Sequence, residues 1–475
     1  MLAALRARRE LRALPGQIDD IDLYARLRSP AAPGSLDERT WRDLDMDAVF
    51  ARIDRASSGV GQQVLYDLLR HPARDWTELA ERDAGVRRLA ERPAARQAIA
   101  EAPRLFLLLL PIVAINIVVQ GYYGPNVQHL LPPLAALRGL LAAGRRLGEV
   151  PLLAEDPAVG ELATRCRSLR WLGRLTSSLV HEAGGNELAD TLMAYANLLF
   201  LLDVNAFVFS IELIRRNRQA MVAVFEQAGR LDAFCAVAEL REDLPFWCVP
   251  EASAAPTDGG LDATQLLGEG VYHPLLADAV PNDLRPEGRS LLITGSNMAG
   301  KTTYLRAMGV AAVLGQALAT CPARAWRGPL VEVRTFIDRQ DDLLEGRSYF
   351  MVEAEVMGGL LSAAAERGPH LFILDELFRG TNTRERIAAS AGVLAFMGHG
   401  GHLCLVATHD VELAELLGER WTAWHFREEV EEAGVRFDYS IRPGVSSAPN
   451  ALRILSRTGY PEAVMARAFE IYEAR

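Results

Sequence analysis

The stretch Gly295-Ser296-Asn297-Met298-Ala299-Gly300-Lys301-Thr302, continued by Thr303, has the spacing of a phosphate cradle. Its glycines let backbone N–H groups turn toward an anion at a helix N-terminus. Lys301 is suited to neutralising β- and γ-phosphate oxygens, and the Thr302 hydroxyl to ligating magnesium. Further on, Pro369-His370-Leu371-Phe372-Ile373-Leu374-Asp375-Glu376 is an apolar run that ends in two acids. Asp375 is expected to serve the metal and Glu376 to orient the water that attacks a γ-phosphate, work done largely by positioning and electrostatics. Alone, an acidic pair ending a strand is no more than a solvated edge; the Lys301 loop upstream gives it meaning. A third run, His402-Leu403-Cys404-Leu405-Val406-Ala407-Thr408, delivers His409. A strand-end histidine is commonly a structural hydrogen-bonder, and only the company of Lys301 and Glu376 makes it a γ-phosphate sensor. The chemistry expected is hydrolysis of ATP with Mg2+, with Glu376, Lys301 and His409 as the catalytic set.

The composition supports the singular place of the loop lysine. Of the 51 Lys and Arg residues only Lys301 is lysine. Arginine has taken every other position where a positive charge suffices; the exception sits where a compact ammonium on a flexible stem must reach phosphate oxygens. The net charge of −10 gives no global electrostatic reason to bind nucleic acid, although a local basic face remains open. Half the residues are apolar and 24% are charged, as in a folded globular protein. Cys166, Cys235, Cys248, Cys321 and Cys404 are scattered, odd in number and without a C-x-x-C pair, which suggests a reducing cytoplasm and neither a disulfide framework nor a zinc site. The stretch Met1 to Glu10 reads as the start of a helix rather than a leader.

At 475 residues the chain is expected to be multidomain, an all-α N-terminal part followed by an α/β P-loop NTPase domain. Residues 1–40 read as a helix and linker, 41–250 as a helical domain and 260–475 as the ATPase, with the boundary in the breaker-rich stretch Pro250 to Gly260. Helical spacing runs through Met46, Val49, Phe50, Ile53, Val64, Leu65, Leu68 and Leu69, and a long packed helix is predicted over Asn186 to Arg218. Leu105 to Val119 is a 15-residue apolar run flanked by Arg104, Tyr122 and Tyr123. A spanning helix needs about 20 such residues, which favours a buried or hairpin helix over a membrane segment. In the C-terminal part Ser290-Leu291-Leu292-Ile293-Thr294 reads as a buried strand, followed by the loop and then by a helix over Thr302 to Leu318: strand, cradle, helix.

These residues resemble the MutS family of ATPases, in the wider ABC class. The likeness rests on Tyr272-His273-Pro274, Pro281-Asn282-Asp283, Thr294 to Arg306, Asp341 to Glu353, Asp375 to Thr383 and Ala407-Thr408-His409, in matching order and spacing. A weaker likeness covers Asp43 to Pro72 and Tyr439 to Ala468. The resemblance implies a homodimer with composite ATP sites, in which Ser348 reaches the γ-phosphate bound by the other subunit. It also implies that Arg379 to Thr383 line the dimer interface, that His273 lies near the adenine, and that Asn297 helps hold the γ-phosphate or the water. Ser296, Ala299 and Tyr349 stand where the family usually has proline, glycine and threonine. The Phe-x-Glu wedge that reads mispairs has no counterpart before the ATPase; Phe426-Arg427-Glu428 falls after His409. The expectation is therefore a shortened form without the mismatch-recognition domain, a dimeric ATP-driven switch acting on DNA in the cytoplasm. The alternative is a membrane-associated ATPase tethered through 105–119 that acts on a protein partner.

Overall fold

A computed structural model of the chain describes residues 21–28, 34–101, 141–150, 156–169, 202–252, 262–295, 299–337, 349–366, 368–431, 434–445 and 460–473. The apolar run Leu105–Val119, the loop residues Ser296, Asn297 and Met298, and Ser348 lie outside them. The chain divides into two compact units, one of Met1–Pro30, Ile53–Leu68 and Ala84–Asp243, the other of Ala31–Arg52, Leu69–Asp83 and Leu244–Arg475. Most of 31–52 and all of 69–83 fall inside the stretch read as helical from the sequence, and both group with the C-terminal half. Among the described residues no helix is long and apolar enough to cross a membrane.

The helices that precede the first strand are α1 (Leu23–Arg28), α2 (Glu38–Asp43), α3 (Met46–Ile53), α4 (Gly59–Arg70), α5 (Trp76–Ala90), α6 (Pro93–Glu101), α7 (Pro157–Ser168) and α8 (Leu202–Asp243). The described residues of the first unit are helical and contain no strand. Helix α8 runs for 42 residues, well past the predicted end at Arg218, because the sequence from 219 to 243 holds no proline and a single glycine. That glycine has a packing reason. A Cβ at Gly229 would lie 2.3 Å from Val64 Cγ2 and 2.9 Å from the Val60 carbonyl oxygen, so α4 and α8 touch almost backbone to backbone. Three residues on, buried Asp232 caps α4 by accepting from the Ser57 and Ser58 N–H groups at 2.9 and 2.7 Å.

The second unit is built on a six-stranded sheet. Its strands are β4 (Ser290–Thr294), β6 (Glu332–Phe336), β7 (His370–Asp375), β8 (Leu403–Ala407), β9 (Trp421–Glu431) and β10 (Gly434–Pro443), in the order β10-β9-β4-β8-β7-β6. All neighbours are parallel except β10 on β9. Strands β4, β7 and β8 are buried at every position, which is why they read as unbroken apolar runs rather than alternating ones. A smaller sheet joins β1 (Glu251–Ala252), β2 (Leu267–Val271), β3 (Asn282–Leu284) and β5 (Ala325–Gly328) in the order β1-β5-β2-β3. Helices α9 (Lys301–Leu318), α10 (Tyr349–Ala364), α11 (Thr383–Met397) and α12 (Leu413–Leu416) connect the strands, and α13 (Glu462–Glu473) follows β10.

Helix α2 and the turn after it belong to this unit through three carboxylates. Asp37 caps α2 on the Thr40 N–H at 2.7 Å and accepts from Arg334 at 2.5 Å. Asp43, fully inside, accepts from the Thr335 hydroxyl at 2.7 Å and the Ile337 N–H at 2.9 Å. Asp45 receives Arg306 of α9 at 2.5 Å. Asp43 thus fastens the end of β6, the last described residues ahead of 338–348. Replacing it with alanine leaves two donors buried without an acceptor, an expected loss of about 3 kcal/mol in urea unfolding, with Asp43→Asn milder because one acceptor oxygen survives. A loss under about 1 kcal/mol for D43A shows that water replaces the carboxylate.

Candidate functional site

The lateral register of three strands gathers the functional side chains. Ile293 of β4 pairs with Ala407 of β8, and Ala407 pairs with Asp375 of β7, so the three strands end in one line. Two backbone hydrogen bonds carry the alignment one residue further: Thr408 N–H to the Ile293 carbonyl at 3.0 Å and Glu376 N–H to the Ala407 carbonyl at 2.9 Å. The cradle, the acidic pair and His409 therefore emerge at the C-terminal edge of the sheet, the edge where open α/β sheets bind ligands.

Both cradle glycines are needed. Gly295 has φ 126°, and a Cβ on it would lie 3.0 Å from the Phe426 carbonyl oxygen; Gly300 has φ 101° and caps α9 in a left-handed conformation. Helix α9 then starts on Lys301, with Thr302 and Thr303 in its first turn. Lys301 is completely buried, and its Nζ donates to the Gly295 carbonyl and lies 3.4 Å from His409 Nε2. A buried ammonium needs such oxygens, and the carbonyl holds it where a phosphate oxygen can take over. Thr302 Oγ1 donates to Asp375 Oδ2 at 2.6 Å. Hydroxyl and carboxylate together form a hard oxygen donor pair that fits magnesium.

Glu376 starts a turn that pays for its geometry in backbone strain: φ is 52° at Glu376 and 54° at Phe378. Glu353 of α10, nearly inaccessible, holds the turn by accepting the Phe378 N–H. The buried Glu376 carboxylate is gripped from two sides, by an ion pair with Arg379 and by His409 Nε2 at 2.7 Å from its Oε1. Burial, with the Lys301 and Arg379 cations next in weight, pushes the His409 imidazole down to about 4. Neutral at ordinary pH, His409 can donate from Nε2 to Glu376. Asp410, the next residue, locks the strand end through a two-pronged pair with Arg386 at 2.6 and 2.8 Å.

Lys301, Thr302, Asp375, Glu376 and His409 are thus brought together, with Gly295, Ala299 and Gly300 in the loop beside them. His273 makes its contacts with other residues than these. It is buried, its Nδ1 accepts from the Leu275 N–H at 3.3 Å, and burial together with the Arg306 cation lowers it to about 4. Tyr439 is a site residue that the sequence reading passed over. Its ring flanks the cradle, with Cδ1 3.3 Å from where a Gly300 Cβ would be, and 45% of the residue is exposed. Asn282 fixes it by donating to the Tyr439 carbonyl at 2.9 Å and accepting the Ile441 N–H at 2.8 Å, across an irregularity in β10 where Tyr439 has φ 52°. The Pro281-Asn282-Asp283 triplet was the sequence signal for this bracket, but its target lay more than 150 residues away.

A strand, glycine cradle and helix set against an acidic pair on a neighbouring parallel strand define a P-loop nucleotide-binding domain of α/β type. Residues 291–474 match the MutS domain V family. It is 34% identical over 253 residues to the DNA mismatch repair protein MutS of Natronomonas pharaonis, covering 51% of this chain and 28% of that protein. Similar matches are the DNA mismatch repair protein MutS of Thermus aquaticus, 35% over 206 residues, and the DNA mismatch repair protein MutS 2 of Halobacterium salinarum, 32% over 284 residues. They cover 42% and 58% of this chain and 25% and 31% of those proteins, so the chain spans about a quarter to a third of these relatives.

His273 sets a pH dependence that can be measured. Its folded value of about 4 lies below the ordinary 6.5, so between these values the unfolded chain binds more protons. Stability contributed by the neutral ring is present above about pH 6.5 and lost as the pH falls toward 4, up to about 3 kcal/mol. Chemical denaturation at a series of pH values is expected to show this loss in the parent and a visibly smaller one in His273→Gln. Equal slopes for the two proteins contradict a buried neutral ring.

Proposed function

We propose that this chain binds ATP with Mg2+ in the Lys301 cradle, hydrolyses it, and works as a dimeric conformational switch on DNA. The observation that carries the catalytic part is the meeting of Lys301, Thr302, Asp375, Glu376 and His409 at one sheet edge. Lys301 leaves the Gly295 carbonyl for β- and γ-phosphate oxygens. Thr302 and Asp375 hold the metal, which when bound screens the phosphate charge and polarises the γ-phosphate. Glu376 orients the attacking water once a γ-phosphate draws His409 toward itself and loosens the grip on the carboxylate. Tyr439, exposed beside the cradle, supplies a ring face for the base.

Ser348 completes the site from a second subunit in this reading, with Arg379 to Thr383 along the interface. Support comes from the match to MutS domain V and from Glu353, which ties the helix that follows Ser348 to the turn that carries Glu376. DNA as the partner rests on the relatives named above, whose names describe mismatch repair. Action in the cytoplasm is part of the proposal.

Glu376→Gln is expected to bind ATP with near-parental affinity and to lower kcat at least about 100-fold, the scale of a lost water-orienting group. Parental turnover in that variant removes Glu376 from the mechanism. Composite sites make a second, separate demand. Lys301→Ala and Ser348→Ala should each be inactive alone, and mixing them should restore part of the turnover, because a mixed dimer holds one intact site. Absence of recovery in dimers shown to have exchanged subunits sinks the trans assignment. A panel of paired, mispaired and branched DNA tests the partner: if none binds at low salt or alters turnover, DNA is not the partner.

A further inference from the structure

Two of the five cysteines stand directly opposite each other where the segment following α8 meets the segment following α9. Cys248 and Cys321 form an antiparallel bridge, with Cys248 N–H donating to the Cys321 carbonyl at 3.0 Å and Cys321 N–H donating back at 2.9 Å. Such a pair, exchanging both hydrogen bonds, has its Cα atoms about 5.5 Å apart. That lies inside the window of about 4.4–6.8 Å that a disulfide spans. Their side chains face each other as well, the two thiols being within hydrogen-bonding reach. Both are free, Cys321 buried and Cys248 partly open to solvent.

We propose that Cys248 and Cys321 are a reversible disulfide site, closed by exchange with a low-molecular-weight disulfide and opened by thiols. The surroundings divide the two roles. Cys248 is the accessible member, and contact with the Cys321 thiol, then the Arg327 charge and the Trp326 N–H, favour its thiolate, while partial burial and then Glu251 oppose it. Cys321 is buried against Gly315 of α9, where a Cβ would lie 3.5 Å from Cys321 Cβ. Burial holds its thiol well above the usual range, so it is protected from outside reagents and reacts with the neighbour in place.

The exchange balances in two steps. The Cys248 thiolate attacks one sulfur of R–S–S–R, giving Cys248–S–S–R and an R–S⁻ that takes up the proton Cys248 gave away. Cys321 then loses its proton and attacks Cys248 Sγ, forming the protein disulfide and expelling a second R–S⁻, which that proton neutralises. Two cysteines are oxidised by two electrons and R–S–S–R is reduced to two R–SH. When closed, the disulfide staples the strand leading into β1 to the tail of the P-loop helix.

The whole chain, reduced and then incubated with oxidised glutathione, tests this. After alkylation under denaturing conditions, intact mass is expected to show two fewer alkylated thiols and no glutathione adduct, with a linked peptide joining 248 to 321. Dithiothreitol should restore both thiols. The ATPase unit should melt a few degrees higher when oxidised, since the link closes a long loop of the unfolded chain. Cys248→Ser should abolish both the link and the shift, and Cys404→Ser should leave both intact. Recovery of every thiol as alkylated after oxidation, a persistent mixed disulfide on Cys248, or linkage through another cysteine overturns the assignment.

Discussion

The register between β4, β8 and β7 is the constraint on which the rest of the molecule depends. Side chains alternate across a strand with a period of two, so a slip of one residue turns the whole strand over. With Ile293, Ala407 and Asp375 in line, Asp375 meets Thr302 and Glu376 meets His409. A slip in β7 alone would send the Asp375 carboxylate to the opposite face and leave Thr302 without its acceptor. The full burial of these strands fixes the register: apolar side chains lock into both flanking layers, and every polar group has to be delivered at the strand ends.

The single lysine is the second organising feature, and it is meaningful because it is buried. An ammonium taken wholly out of water is costly unless strong acceptors surround it. The Gly295 carbonyl supplies one, and the low-lying pKa of His409 follows in part from the ammonium it faces. A guanidinium, with its planar fork and five donors, has neither the slenderness for this slot nor enough acceptors in it. That is a physical reason for a chain rich in arginine to keep one lysine here.

Strain and support are arranged around the same centre. The turn from Glu376 to Phe378 holds two non-glycine residues at positive φ, a conformation that persists only when its surroundings determine it. Glu353 supplies that support from α10, as Asn282 does for Tyr439 from the smaller sheet. In both cases the bracing residue is remote in sequence from the residue it braces. Asp43 and Asp45 repeat the pattern on the other side, where a short helix early in the chain ties down β6 and α9.

What the sequence determined by itself was the set of candidate side chains and the elements that carry them. Glycine spacing, an apolar run ending in two acids and a strand-end histidine are local patterns, and each forces its own element, so cradle, acids and histidine were legible along with the strand, loop and helix that hold them. The long helix was legible over 202–218 but not in its extension to Asp243, and residues 186–201 of that prediction lie outside the described residues. Only the tertiary structure decided that α2 and the start of α5 join the second unit, that His273 is buried near the Arg306 charge, and that Tyr439 stands beside Gly300. It also paired Cys248 with Cys321, which as a sequence are two scattered cysteines. The reason is common to all four. These facts are set by contacts between residues tens to hundreds of positions apart, and such contacts exist only once buried area and paired polar groups outweigh the entropy of closing the loops between them.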